Sequence, residues 1–174
     1  SGTLTFVAGV TSQTISIAIA GDTGNEDDET FNIALSSPTQ TVGVASITGT
    51  NPHVVTITND DTSTVGFALA TSSVAEGDSG TSTHTIAVTR SDSNGTASVD
   101  YATADGTAEA GTDYSSTTGT LSFADGVGSM DISVVISGDT DNENDETFTV
   151  TLTNAASQYG AAALGTSVHT VTIT

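Results

Sequence analysis

The sequence predicts an all-β chain of tandem antiparallel β-sandwiches, and three observations carry that reading. Apolar residues alternate at period two, glycine-rich stretches punctuate the alternation, and the second part of the chain repeats the first. No sustained 3.6-residue apolar stripe competes with it. Gly2 to Leu35, GTLTFVAGVTSQTISIAIAGDTGNEDDETFNIAL, aligns without a gap to Gly119 to Leu152, GTLSFADGVGSMDISVVISGDTDNENDETFTVTL. After a slip of a single residue HVVTIT, His53 to Thr58, meets HTVTIT, His169 to Thr174. Residues 1–61 therefore read as the C-terminal half of one repeat and residues 62–174 as a nearly complete second one, with a period that suits a domain rather than a solenoid rung.

In chain order, Ile15, Ile17 and Ile19 share one face of a first strand, Phe31, Ile33 and Leu35 one face of the next, and HVVTIT closes the half repeat. TVGFALA, HTIAVTR and ASVDYAT supply the opening strands of the second repeat, and the glycine-rich ADGTAEAGTDY the turns that follow. Ile132, Val134 and Ile136 then alternate as Ile15, Ile17 and Ile19 do; Phe148, Val150 and Leu152 alternate with Thr147, Thr149 and Thr151 on the wet face. A full repeat thus holds about seven strands, the number of an immunoglobulin-like sandwich. Three or four strands with a single apolar face cannot close a sandwich alone. The half repeat is expected to be completed by upstream sequence, by a neighbouring repeat, or by an identical subunit.

With 35% hydrophobic residues in 174, a core forms only if the apolar residues are gathered on one face of each strand. The charge is lopsided: 21 acidic residues against Arg90 alone, a formal net charge of −20. Such a surface repels phosphate backbones and anionic headgroups, which makes nucleic acid and membrane surfaces poor partners, so that neither nucleic-acid binding nor membrane insertion is expected, and divalent cations good ones. There is no cysteine, so neither disulfides nor thiolate-bound metal can staple the fold. No apolar run approaches the roughly 20 residues of a spanning helix, and SGTLTFVAGV lacks the basic flank of a signal peptide. The chain reads as a soluble piece of something longer.

The acidic loop GDTDNENDETF is where the repeat is most particular. As a solvated turn it would only raise solubility, yet Asp139, Glu143 and Glu146 recur as Asp22, Glu26 and Glu29. An EF-hand fails, because Asn144 stands where the sharp turn needs glycine and Val150 where the bidentate glutamate belongs. A calcium site between strand ends remains. Calcium takes six to eight oxygens, and a sandwich gathers its loops at one end, so Glu76, Asp105, Asp60 and Asp61 are candidates to join the loop. Without an ion, such carboxylates raise one another's pKa.

SVAEGDSGT, VDYATADGTAEAGTDY, GTLSFADGVGSMDISVVISGDTDNENDETFTVTLTN and VTITNDD together resemble the Calx-beta family of sodium/calcium exchangers, integrin β4 and large bacterial surface proteins, over essentially the whole chain. The resemblance implies an immunoglobulin-like sandwich and regulatory calcium at one end. Carried across by position, it implies ligands at Glu76, Asp105, Asp139, the Asp141 carbonyl, Glu143 and Glu146. In the half repeat it implies Asp22, the Gly24 carbonyl, Glu26, Glu29, Asp60 and Asp61. The exchanger members carry a longer acidic run where this chain has SGDTD, which implies fewer ions per domain.

His53, His84 and His169 begin alternating strands at core-side parity and are read as packing or hydrogen-bonding residues. A nucleophile elbow is absent, and a glycosidase would need an aromatic cleft that no Trp, three Tyr and five Phe do not furnish. No active site is expected. The expected role is a calcium-binding structural or adhesive module of a large extracellular, fibre-forming protein of a bacterial surface, with a cell-surface or matrix ligand. The alternatives are a regulatory calcium sensor, and a carbohydrate-binding module built on Tyr101, Tyr114 and Tyr159.

Overall fold

The computed structural model describes residues 1–141 and 143–174. Strand is the only regular structure among them, and no helix is long and apolar enough to cross a membrane. In the first repeat, β1 (Glu29–Ile33) and β2 (His53–Ile57) form an antiparallel pair in which Phe31 faces Val55. The second repeat is a sandwich. One sheet runs in the order β10 (Ala161–Leu164), β3 (Thr62–Phe67), β5 (Gly80–Arg90), β8 (Ser129–Gly138). The other runs β4 (Thr71–Val74), β11 (Val168–Ile173), β9 (Glu146–Ser157), β6 (Ala97–Asp105), β7 (Thr118–Phe123).

The alternation seen in the sequence is the alternation of burial. Ile86 and Val88 of β5, and Ile132, Val134 and Ile136 of β8, face Val99 of β6 and Phe148, Val150 and Leu152 of β9; all are buried. Each such side chain contributes about 1.5–3 kcal/mol by leaving water. The threonines between them face outward, as half-buried antiparallel strands require.

Three features differ from the sequence reading. TVGFALA is not one strand: β3 ends at Phe67, Leu69 lies exposed, and β4 begins again in the opposite sheet. The closing strand is recovered as β11, but an unmarked strand, β10, precedes it; β10 pairs with β3 and β11 with β4, and both pairings are parallel within an otherwise antiparallel sandwich. Gly66 permits the crossing, because a Cβ there would lie 2.8 Å from the Thr166 nitrogen. Ile15, Ile17 and Ile19 form no strand and are 45%, 46% and 50% exposed, whereas their repeat equivalents Ile132, Val134 and Ile136 are 1%, 0% and 0%. The reason is pairing: β8 is laddered to β5, and residues 1–61 contain no counterpart of β5.

The histidines also part company. His53 is exposed, and His84 lies within β5 rather than at its start. His169 is buried, its Nδ1 2.7 Å from the Leu69 carbonyl, which can only accept, so that nitrogen carries a proton. The Ser72 hydroxyl stands 2.7 Å from His169 Nε2 and 2.7 Å from His84 Nε2, within hydrogen-bonding distance of both rings. Burial, and then His169, hold His84 below the usual imidazole pKa. The chain of bonds ties β4 and β11 to β5 across the two sheets.

Arg90 is spent on the fold. Its Nε donates to the Val127 carbonyl at 2.7 Å, and its Nη2 to those of Ser93 at 2.8 Å, Gly95 at 3.0 Å and Ala124 at 3.0 Å. The guanidinium sits 5.7 Å from the Phe123 ring centre, a cation–π arrangement. One buried cation thereby fixes the loops between β5 and β6 and between β7 and β8.

Candidate metal centre

Three loops and the end of β11 converge at the end of the sandwich opposite Arg90, and backbone contacts hold each in place. The Glu76 N–H donates to the Thr174 carbonyl at 3.1 Å, fixing the loop after β4 to the end of β11. A Cβ on Gly138 would stand 2.6 Å from the Gly77 oxygen, so only glycine lets the end of β8 lie against that loop. The Ser137 N–H donates to the Asp113 carbonyl at 2.9 Å, and Tyr114 bridges to Ile136, which welds the loop after β6 to β8. The Ala108 N–H donates to the Thr147 carbonyl at 3.0 Å and the Thr147 N–H to Thr107 Oγ1 at 2.8 Å, bringing the same loop to the mouth of β9 beside Glu146.

The result is an open hollow of about 180 Å3 lined by Glu76, Asp113, Asp141, Glu143, Asp145 and Glu146. Carboxylate oxygens of Asp113, Glu143 and Glu146 all lie within 4.8 Å of one another. Their electrostatics show a cluster in want of a cation. Burial raises Glu76 above the usual carboxylate pKa, and the charges of Asp139, Glu143, Asp113 and Asp141 raise it further. Burial likewise raises Glu146, followed by its hydrogen bond to Asp113 and the charges of Asp113, Glu143 and Glu109. A larger hollow of about 430 Å3, lined by Thr96, Ser98, Ser122, Ala156 and Gln158 among others, has no charged side chain in its wall.

Of the residues marked in the sequence, Glu76, Asp141, Glu143 and Glu146 line the hollow, and Asp139 stands near enough to act on Glu76. Asp139 Oδ1 accepts the Asp141 N–H at 2.7 Å, which turns the acidic loop back on itself. Asp105 is otherwise engaged: its Oδ1 accepts from the Tyr114 hydroxyl at 2.6 Å and the Ala110 N–H at 3.0 Å. Those two bonds, the tyrosine's first, hold Asp105 below the ordinary range; burial and then Asp105 push the Tyr114 phenol up to about 12. Tyr114 stacks on Phe148 at 4.1 Å, so Asp105 anchors the loop that presents Asp113. Asp113 itself escaped the sequence reading. The signal was its place beside Tyr114 in AGTDY: a core aromatic aims its neighbour outward.

In the first repeat Asp22 Oδ1 accepts the Gly24 N–H at 2.8 Å, the same turn as Asp139 to Asp141. Glu29 opens β1 opposite Ile57, and Asp28 Oδ1 accepts the Asn59 N–H at 2.9 Å, which brings Asp60 and Asp61 to the same end. Among the described residues, Asp22, Glu26, Glu29, Asp60 and Asp61 form no group of three converging carboxylates.

The carboxylates, backbone carbonyls and open geometry fit a hard divalent ion such as calcium, which takes oxygen ligands in flexible arrangements. Among curated protein sequences none matches the chain. Among solved structures, the apo-form Calx CBD1 domain is 32% identical, with a TM-score of 0.57, over 64% of this chain and 95% of that one. The calcium binding domain CBD12 of CALX1.1 is 32% identical with a TM-score of 0.55, over 63% of this chain and 44% of its own length. The Calx CBD2 domain, 19% identical with a TM-score of 0.57 over 63% and 85% of the two chains, shares the fold. The Calx-beta domain family matches residues 1–61 and again 58–174, and with that the chain belongs to the Calx-beta family.

Proposed function

We propose that the chain binds calcium at the end of its second sandwich and serves as a structural, adhesive repeat of a large extracellular or fibre-forming protein, of bacterial cell-surface type. The observation that carries the ion is the convergence of Asp113 with Glu143 and Glu146 from two separate loops, under Glu76. Asp139 and the Asp141 carbonyl complete the set of oxygens; Asp105 acts behind it by holding the Asp113 loop. A divalent cation bound there replaces mutual repulsion with attraction and ties the three loops together. The acidic surface, with a single basic residue, and the tandem repeat support the extracellular and structural part of the reading. The neighbouring repeat, an identical subunit, and a cell-surface or matrix ligand are its partners.

The 32% identity to the Calx CBD1 domain favours a second reading, a regulatory calcium sensor. Affinity separates the two. An extracellular module binds calcium with Kd of roughly 10⁻⁴–10⁻³ M, a sensor with roughly 10⁻⁷–10⁻⁵ M. Thermal melts with calcium and with chelator test the reading: binding to the folded state alone adds about 2.7 kcal/mol at a hundredfold excess over Kd. Identical melts contradict it.

A further inference from the structure

The acidic loop of the first repeat does something that ion binding does not require. Between Gly24 and Glu26 it turns one side chain, Asn25, away from solvent and into the second repeat, where it is 0% exposed. The Asn25 amide donates to the Tyr159 carbonyl at 2.6 Å and to Ser157 Oγ at 3.0 Å, and its Oδ1 accepts from Asn59 Nδ2 at 2.7 Å. Both amide protons and the oxygen are thus satisfied by groups from the neighbouring sandwich and the linker. A buried amide costs stability unless it is matched in this way, so the arrangement tolerates little rotation or slip.

The receiving turn is shaped to fit. Gly160 has φ 54°, and a Cβ there would stand 2.5 Å from Asn25 Oδ1 and 2.5 Å from Asn59 Nδ2. Below it, the Tyr159 ring lies against Gly95, whose carbonyl Arg90 holds. Asn59 closes the other side, its N–H bound to Asp28 Oδ1 and its own Oδ1 accepting the Asp61 N–H at 3.2 Å. Loop, linker and turn form one polar unit across the boundary between repeats.

We propose that the Ser157–Gly160 turn is a socket for the acidic loop of the preceding repeat, and that Asn25 is the residue that specifies this partner and fixes the angle between consecutive domains. The partner is recognised by chemistry: a carboxamide with two donors and one acceptor, presented on a tight turn. Aspartate fails, since it accepts only and would face the Tyr159 carbonyl. The inference goes beyond ion binding and is read in chelator as well as in calcium.

The chain has no cysteine, so a Thr30→Cys, Ser133→Cys pair carries spin labels on exposed strand positions of the two repeats. The labelled full chain, diluted into unlabelled chain, is expected to give a narrow distance distribution. Asn25→Ala, Asn25→Asp and Gly160→Ala should each widen it about twofold or more, because domains without a specific interface move freely. Unchanged hydrogen exchange in β5 and β8 would show that the second sandwich stays folded in these variants. A broad distribution in the parent, an unchanged width in all three variants, or a narrow width restored to Asn25→Ala by calcium alone would overturn the proposal.

Discussion

Glu143 and Glu146 stand at the mouth of β9, but their chemistry is set by Asp113, which reaches them from another loop. Neutralising any of the three removes a ligand and a repulsion together, so effects with and without ion should have opposite signs. Glu143→Gln, Glu146→Gln and Asp113→Asn are each expected to abolish most of the calcium-dependent gain in melting temperature while slightly stabilising the calcium-free protein. Ser133→Ala, on the exposed face of β8, should change neither. The pH dependence follows from the same groups. Glu76 and Glu146 have raised pKa values in the fold, so the protonated forms stabilise it and that stability is lost as pH rises through those values. Asp105 has a lowered one, so its contribution is lost only as pH falls through it. In chelator, melting temperature should therefore rise as pH falls from neutral through the raised pKa values of Glu76 and Glu146, then drop in stronger acid. A flat or falling profile over the first interval, measured by scanning calorimetry, contradicts the assignment.

The strands of the second repeat were legible because alternation is a local property: Ile132, Val134 and Ile136 lie on one face whatever they pack against. The switch between sheets was not, since TVGFALA carries no mark that β3 ends at Phe67 and that the chain pairs again, in the other sheet, only from Thr71. That choice is made by partners distant in sequence, Thr166 for Phe67 and Thr170 for Ala70. The acidic loop was legible as a candidate site through its duplication, but Asp113 and the anchoring role of Asp105 depend on where Tyr114 is buried. Asn25, flanked by candidate ligands, gave no sequence signal because its partners lie at Ser157 and Tyr159. Arg90 is the plainest case of a charge whose role belongs to the element rather than to a ligand. Arg90→Met should destabilise the second sandwich by about 3 kcal/mol by stripping several carbonyls of a charged donor, with calcium affinity unchanged. Chemical denaturation and a calcium titration of the same variant check both halves of that statement.

At the scale of the whole molecule, the two repeats present the same apolar sequence in opposite states. Leu4, Phe6 and Leu35 are 37%, 55% and 49% exposed, whereas Leu121, Phe123 and Leu152 are 7%, 1% and 1%. In the second repeat β3, β5 and β6 cover them; strands of that kind, from adjoining chain or from another subunit, are expected to cover the first. Light scattering should find the 174-residue chain self-associated, with residues 1–58 protected from exchange only in the assembled form; a monomer protected there contradicts this. The central claim, however, is the ion. Isothermal titration of calcium into the chain and into its Glu143→Gln, Glu146→Gln double variant tests it most directly: saturable binding in the first and none at the second sandwich of the other is expected. No binding in the parent chain, or undiminished binding in the variant, would contradict the account.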